Sequence, residues 1–253
     1  MQGKNTVMRI IKCILYAWVL MAFPVKAQIF NVPYKDDAPT RTLLIPAKDA
    51  KAVVLLYPGG GGVLRLKDDG STANTHTFVR SKDEWTKFGI VAVLVDTPYG
   101  LGDGRGHSRS TRDHQQRIKN VVSYYKEKFN LPIWLFGHSM GTVSVSEFAN
   151  GGRDQFQMID GVIIAGTYRT VAMDGDGKLP VLAMHHAQDG CVSTPISASE
   201  SVINARPKDS RAQLILIDGG VSVGDVCGAM AYLGFNQKEE ELVKDAAGFI
   251  LNK

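Results

Sequence analysis

Glycines stand two residues to either side of a serine in Gly137-His138-Ser139-Met140-Gly141. This is the spacing of a turn tight enough to hold a serine in a strained backbone conformation with its hydroxyl free to attack an acyl carbonyl. The glycines are needed because a Cβ at either place would collide with the adjoining strand and helix. The pattern gains weight from its context, since it follows the apolar run Ile133–Phe136 and opens a helical stretch. Upstream, Ala52–Tyr57 runs into Pro58-Gly59-Gly60-Gly61-Gly62. A loop made only of glycines lets backbone N–H groups face an anion with no side chains in the way. The amide of Met140, with that of Gly60 or Gly61, would complete an oxyanion hole. The run lacks the closing Lys and Ser/Thr of a phosphate-binding loop, and no G-x-G-x-x-G with a following acid is present. A carboxylate is available at Asp189, just past Val181–His185, at the strand end where ligand chemistry in such sheets gathers. Asp-Gly is also a common turn pair.

The elements that must position these groups are short runs rich in Val, Ile and Leu: Thr42–Ile45, Ala52–Tyr57, Ile90–Val95, Ile133–Phe136, Gly161–Ala165, Val181–His185 and Gln213–Ile217. They show little polar alternation, as strands buried on both faces do. Between them lie stretches of helical spacing and mixed charge: Lys82–Phe88, Arg112–Phe129, Thr142–Asn150, Ile196–Ala205 and Gln237–Leu251. This alternation predicts an α/β fold, a mostly parallel sheet with helices on both faces. No internal repeat or long linker divides the chain, so one domain over residues 28–253 is expected, the glycine-rich Leu101–Gly106 being a connection.

Residues 1–27 differ from the rest. Lys4, Arg9 and Lys12 precede the apolar run Cys13–Phe23, and Val25 and Ala27 are small residues placed for cleavage before Gln28. The run is too short to favour a spanning helix, so it predicts a secretory signal peptide, the alternative being an uncleaved N-terminal anchor. Either way the domain is expected outside the cytoplasm, periplasmic or secreted. The leader carries four basic residues and no acid, so the formal charge of +4 falls to zero without it. That removes the compositional support for a nucleic-acid partner or a membrane-surface role. Cys191 and Cys227 remain after the leader, and a disulfide is the simplest reading of such a pair, with two separately buried thiols as the alternative. No metal-ligand spacing and no cofactor loop is present; the expected partner is a small-molecule substrate or ligand. Leu64–His76 and Thr97–Arg109 are the expected walls of its site.

In order along the chain, PGGGG at 58–62, Asp96-Thr97-Pro98, Arg112-Asp113-His114, GHSMG at 137–141, HHAQDGC at 185–191 and Cys227 with Leu233-Gly234-Phe235 resemble the α/β-hydrolase superfamily. The likeness is to small exported bacterial members of the dienelactone-hydrolase-like kind, over roughly residues 40–251. It implies a single-domain α/β-hydrolase fold with Ser139 as nucleophile, Asp189 as acid, and Met140 with Gly60 or Gly61 as oxyanion donors. It also implies a catalytic histidine six residues after the cysteine, in a CxxxxxHGF pattern. Here that position is Leu233.

The last histidine in the chain is His186, ahead of Asp189, so the nucleophile–acid–base order is broken. His186 is the nearest substitute, being close to Asp189 in sequence. His138 lies inside the elbow, His114 opens a helix, and His107 and His76 sit in loops. Losing the base from a serine hydrolase costs about 10⁶-fold in turnover. Leucine also gives Asp189 no hydrogen bond, so another group must solvate that carboxylate. Two functions are therefore expected: a serine hydrolase of carboxylic esters or related acyl compounds, or a catalytically impaired relative that binds a small acyl or hydrophobic ligand.

Overall fold

A computed structural model describes residues 26–98, 107–174 and 177–252, and only the backbone of His107 and Ser108. Residues 1–25 of the expected leader and the connection Leu101–Gly106, part of one expected wall, lie outside the described residues.

The strands are β1 (Gln28–Tyr34), β2 (Asp37–Ile45), β3 (Ala52–Tyr57), β4 (Ile90–Asp96), β5 (Ile133–His138), β6 (Gly161–Ala165), β7 (Val181–His186) and β8 (Ala212–Ile217). They form one sheet in the order β1-β2-β4-β3-β5-β6-β7-β8. β1 with β2 and β2 with β4 are antiparallel, and the other pairs are parallel. The helices are α1 (Thr77–Ser81), α2 (Arg112–Phe129), α3 (Met140–Asn150), α4 (Arg153–Phe156), α5 (Ile196–Asn204) and α6 (Glu239–Leu251). The expected fold class, mostly parallel and covered on both faces, is the observed one.

The central strands are apolar throughout because both their faces are buried. Val54, Leu56, Ala92, Leu94, Phe136, Ile163 and Met184 pack against Phe78 of α1, Trp85 and the inner face of α6. The alternate residues Val53, Leu55, Val91, Val93, Leu135, Val162 and Ile164 face α2, α3 and α5 through Ile118, Val121, Val122, Val145, Phe148 and Val202. Period-two alternation within an unbroken apolar run thus serves two cores.

The departures from expectation are local. β1 reads QIFNVPY, and its Asn31 and Pro33 break the apolar run that marks a buried strand. It is an edge strand, where an unpaired side and a proline are tolerated. β2 begins at Asp37, since its first half pairs with β1 and is largely exposed. Where a helix is expected over Lys82–Phe88 the chain forms a 3₁₀ turn, Glu84–Phe88, which ends at Gly89 with φ 67°, and the helix α1 precedes it, outside the expected stretch. α2 has the expected bounds: Thr111 accepts the amide of His114 at its start, and Asn130 closes its end at φ 50°.

Candidate active site

Ser139 joins β5 to α3 with φ 50° and ψ −121°, a conformation that costs a non-glycine residue energy. Its amide donates to Ala165 of β6 at 2.9 Å, and its carbonyl accepts from the amide of Thr142 at 2.9 Å. The flanking glycines behave as their spacing predicts. A Cβ on Gly137 would lie 2.3 Å from the Gly141 carbonyl oxygen, and one on Gly141 would lie 1.9 Å from that of Tyr57. Met140 is the first residue of α3, so its amide has no carbonyl to bond within the helix.

The glycine loop lies directly over this turn. A Cβ on Gly59 would come within 3.0 Å of the Ser139 Cβ. Gly60 has φ 56°, and the amide of Gly62 closes the turn on the Gly59 carbonyl at 3.0 Å. The amide of Gly59 is turned toward His76 Nε2, at 2.9 Å. Of the four glycines, Gly60 and Gly61 therefore keep amides that neither close the turn nor meet His76. Beneath the loop, the fully buried Arg109 donates from Nη2 to the carbonyls of Pro58 (2.8 Å) and Gly60 (2.7 Å), and from Nη1 to Ser144 Oγ (3.0 Å). Asp96 braces the loop's far side, its two oxygens accepting the amides of Leu64 (2.6 Å) and Leu66 (2.9 Å), while the amide of Thr97 donates to the Gly62 carbonyl.

Asp189 follows β7 with its side chain only 1% exposed. Its Oδ1 accepts the amide of Cys191 and its Oδ2 the hydroxyl of Thr194, both at 2.9 Å. His185 Nε2 faces Oδ2 at 3.4 Å. The groups that meet this carboxylate are thus supplied by its own loop and by β7. Cys191 and Cys227 form a disulfide with their Cα atoms 4.9 Å apart, tying the acid loop to the segment that carries Leu233.

Leu233 is 2% exposed and packs on Gly166, the residue after Ala165; a Cβ on Gly166 would lie 2.5 Å from Leu233 Cδ1. It therefore sits against the residue that directly follows Ala165, whose carbonyl holds the Ser139 amide. The segment is gripped from α1: Thr77 Oγ1 and Arg80 Nη2 both donate to the Gly234 carbonyl.

The fold matches many solved structures. A dienelactone hydrolase from Anabaena variabilis aligns with TM-score 0.62 at 11% identity, over 89% of this chain and 97% of that one. A soluble variant of monoglyceride lipase from Saccharomyces cerevisiae gives TM-score 0.61 at 16% identity, over 93% and 97%. A lidless α/β serine hydrolase from Xanthomonas campestris gives 0.59 at 12% identity, over 88% and 96%. The chain has the α/β-hydrolase fold. No family model and no curated protein matches its sequence.

A serine hydroxyl that attacks an acyl carbonyl needs a base within reach, and five of the six histidines can be followed atom by atom. His138 Nε2 lies 2.8 Å from the Leu233 carbonyl, which can only accept, so that nitrogen carries the proton and Nδ1 is bare. His76 Nε2 lies 3.0 Å from His138 Nδ1, and the amides of Phe78 and Gly59 are directed at its Nδ1 and Nε2, at 3.1 and 2.9 Å. The two imidazoles form a chain that ends on the backbone of residue 233. Burial, chiefly, holds the pKa of His138 down to about 4 and that of His76 well below its ordinary value, the neighbouring ring adding to the latter. His114 Nε2 meets Ser144 Oγ at 2.8 Å; burial first, then the charge of Arg109, lowers its pKa to about 3. His186 donates from Nε2 to the Gly219 carbonyl (2.7 Å) and accepts the Gln188 amide at Nδ1 (3.1 Å). The expected nearest substitute base thus has both nitrogens occupied. His185 is wholly buried between Ser199 and Asp189. The side chain of His107 lies outside the described residues.

The fold brings together Ser139, Met140, the glycine loop and Leu233. Sequence reasoning missed Arg109, Thr194, His185 and the pairing of His76 with His138. Thr194 could have been found as a hydroxyl five residues after an acid in a turn. Arg109 figures only as the end of an expected wall, Thr97–Arg109, and nothing in its Ser-Arg-Ser neighbourhood signals that it lies buried against the glycine loop. Among the described residues no cluster of His, Cys, Asp or Glu is arranged to hold a metal ion, and no helix is long and apolar enough to cross a membrane.

Proposed function

We propose that this chain is a serine-hydrolase-like protein that receives carboxylic esters or related acyl compounds at Ser139 but turns them over slowly: a pseudo-hydrolase that binds a small acyl or hydrophobic ligand. One observation carries this reading. Each of the five histidines with a described side chain is committed to a partner other than Ser139, while Leu233 fills the space beside Gly166. In this reading Met140 and a loop glycine hold the acyl oxygen, as in the hydrolases whose fold the chain shares, and Asp189 orients nothing. With the base gone, about 10³- to 10⁴-fold acceleration over water remains from oxyanion binding and positioning. The retained geometry of Ser139 favours a second reading, a working esterase with a base outside the described residues, because such strain persists where it is used. We further propose export of the domain after cleavage before Gln28; β1 begins at that residue, and a disulfide suits an oxidising compartment.

The test is p-nitrophenyl acetate hydrolysis and fluorophosphonate labelling by the wild-type domain, Ser139→Ala and Leu233→His. Slow, Ser139-dependent labelling by wild type is expected, with a rise of at least 100-fold in turnover for Leu233→His. Fast labelling and turnover by wild type would sink the pseudo-hydrolase reading in favour of the working esterase. No gain in Leu233→His would mean that residue 233 does not occupy the base position.

A further inference from the structure

Arg109 is 1% exposed, and no carboxylate among the described residues pairs with it. Burial lowers its pKa to about 10, against a smaller rise from the phenol of Tyr57, so it remains a cation at neutral pH. A buried, unpaired guanidinium is expensive to hold. Its Nε, moreover, has no hydrogen-bond partner. Three hydrogen bonds tie the remaining nitrogens down, and two of them end on carbonyls of the glycine loop, those of Pro58 and Gly60. The loop is shaped around the guanidinium, since a Cβ on Gly62 would lie 2.6 Å from Arg109 Nη2.

Holding a carbonyl fixes the amide at the other end of the same peptide unit. In a trans peptide the C=O and N–H point in opposite directions, so the clamp on the Gly60 oxygen turns the Gly61 N–H away from Arg109. Hydrogen bonding to a cation also polarises that peptide and makes its N–H a stronger donor. The Gly59 amide is turned toward His76 and the Gly62 amide closes the turn. Gly61 is therefore the amide that is both unspent and polarised.

We infer that Arg109 is the positioning residue of an oxyanion site at Ser139, acting through the Gly60–Gly61 peptide to make the site select tetrahedral, anionic acyl-like species over neutral trigonal ones. The inference rests on the reading of Ser139 given above, and names what that site prefers. It also gives an otherwise costly buried charge a purpose: a fixed positive potential beneath the loop, where an oxyanion would form.

The test is equilibrium binding of phenylboronic acid by ¹¹B NMR at millimolar concentration, with acetophenone as the neutral trigonal comparison. The Ser139 hydroxyl adds to trigonal boron, an O–B bond forms and a proton passes to solvent, leaving a four-coordinate boronate anion. Wild type, Ser139→Ala, Arg109→Met, Arg109→Lys and Arg109→Gln are compared, each checked for folding by circular dichroism. Arg109→Met is expected to weaken Ser139-dependent boronate binding by about 10- to 100-fold while acetophenone affinity changes less than about twofold. Arg109→Lys, which keeps the charge, should stay within about tenfold of wild type and above Arg109→Gln, which keeps a donor without the charge. Equal loss of both ligands in Arg109→Met, or no loss of either, overturns the role given to Arg109. If Arg109→Met does not fold, the Lys and Gln variants decide, and Gln binding as well as Lys overturns it. Boronate binding that survives in Ser139→Ala, or is absent from wild type, instead brings down the reading of Ser139 and this inference with it.

Discussion

His76, His114 and His138 are buried and neutral, each with its pKa depressed mainly by burial, to about 3 for His114 and about 4 for His138. In the unfolded chain the same side chains take up protons near pH 6.5. The unfolded state therefore binds more protons below that pH, and the native state loses stability as pH falls through 6.5 toward 4. Each histidine adds a slope of up to about 1.4 kcal/mol per pH unit. Urea unfolding at pH 7 and pH 5 should show a clear drop in midpoint, and His114→Gln should flatten the dependence. A midpoint that does not fall would mean that these rings are protonated in the native protein. The motif Arg112-Asp113-His114 was visible in the sequence, but its use was not. Asp113 pairs with Arg117 and accepts from Tyr34, fastening β1 to α2, and His114 backs Ser144. These partners come from distant parts of the chain, so spacing could not disclose them.

Among the elements, the crossing of α3 over β3 and β5 makes the elbow possible. It depends on the absence of a side chain at Gly141, where backbone sits 1.9 Å from the place a Cβ would take. Backbone cannot yield as a flexible side chain can, so Gly141→Ala is expected to cost at least about 3 kcal/mol, through overpacking and loss of the turn. Gly248 is the contrast: it lies within α6 with nothing within 4 Å of its missing Cβ. There Gly248→Ala should stabilise by about 0.5–1 kcal/mol. Thermal melts of the two variants check both statements, and similar shifts would show that the packing argument is wrong. The glycines of GHSMG were legible as a steric requirement. β1 was not, because an edge strand needs no unbroken apolar run.

Across the whole molecule, the disulfide joins the loop of Asp189 to the segment carrying Leu233, over a sequence separation of 36 residues. Closing a loop of that length in the unfolded chain stabilises the native state by about 3–4 kcal/mol. Chemical denaturation of the Cys191→Ala/Cys227→Ala double variant should show a loss of that order, and a negligible change would mean that the loops are held without it. The sequence by itself determined the strand–turn–helix at Ser139, the glycine loop and the parallel α/β layering. Each of these is a local matter of periodicity or of the space around one residue, and local matters can be read from neighbours in the chain. Only the tertiary structure decided that Asp189 is satisfied by Cys191 and Thr194, that His186 is spent, that His76 and His138 run to the backbone of Leu233, and that Arg109 lies under the glycine loop. Those are hydrogen bonds and buried charges shared among separate elements, and a buried polar group finds its partners in the packed fold. In the proposed reading, Ser139 keeps its turn and the glycine loop beside it, and its activation turns on residue 233.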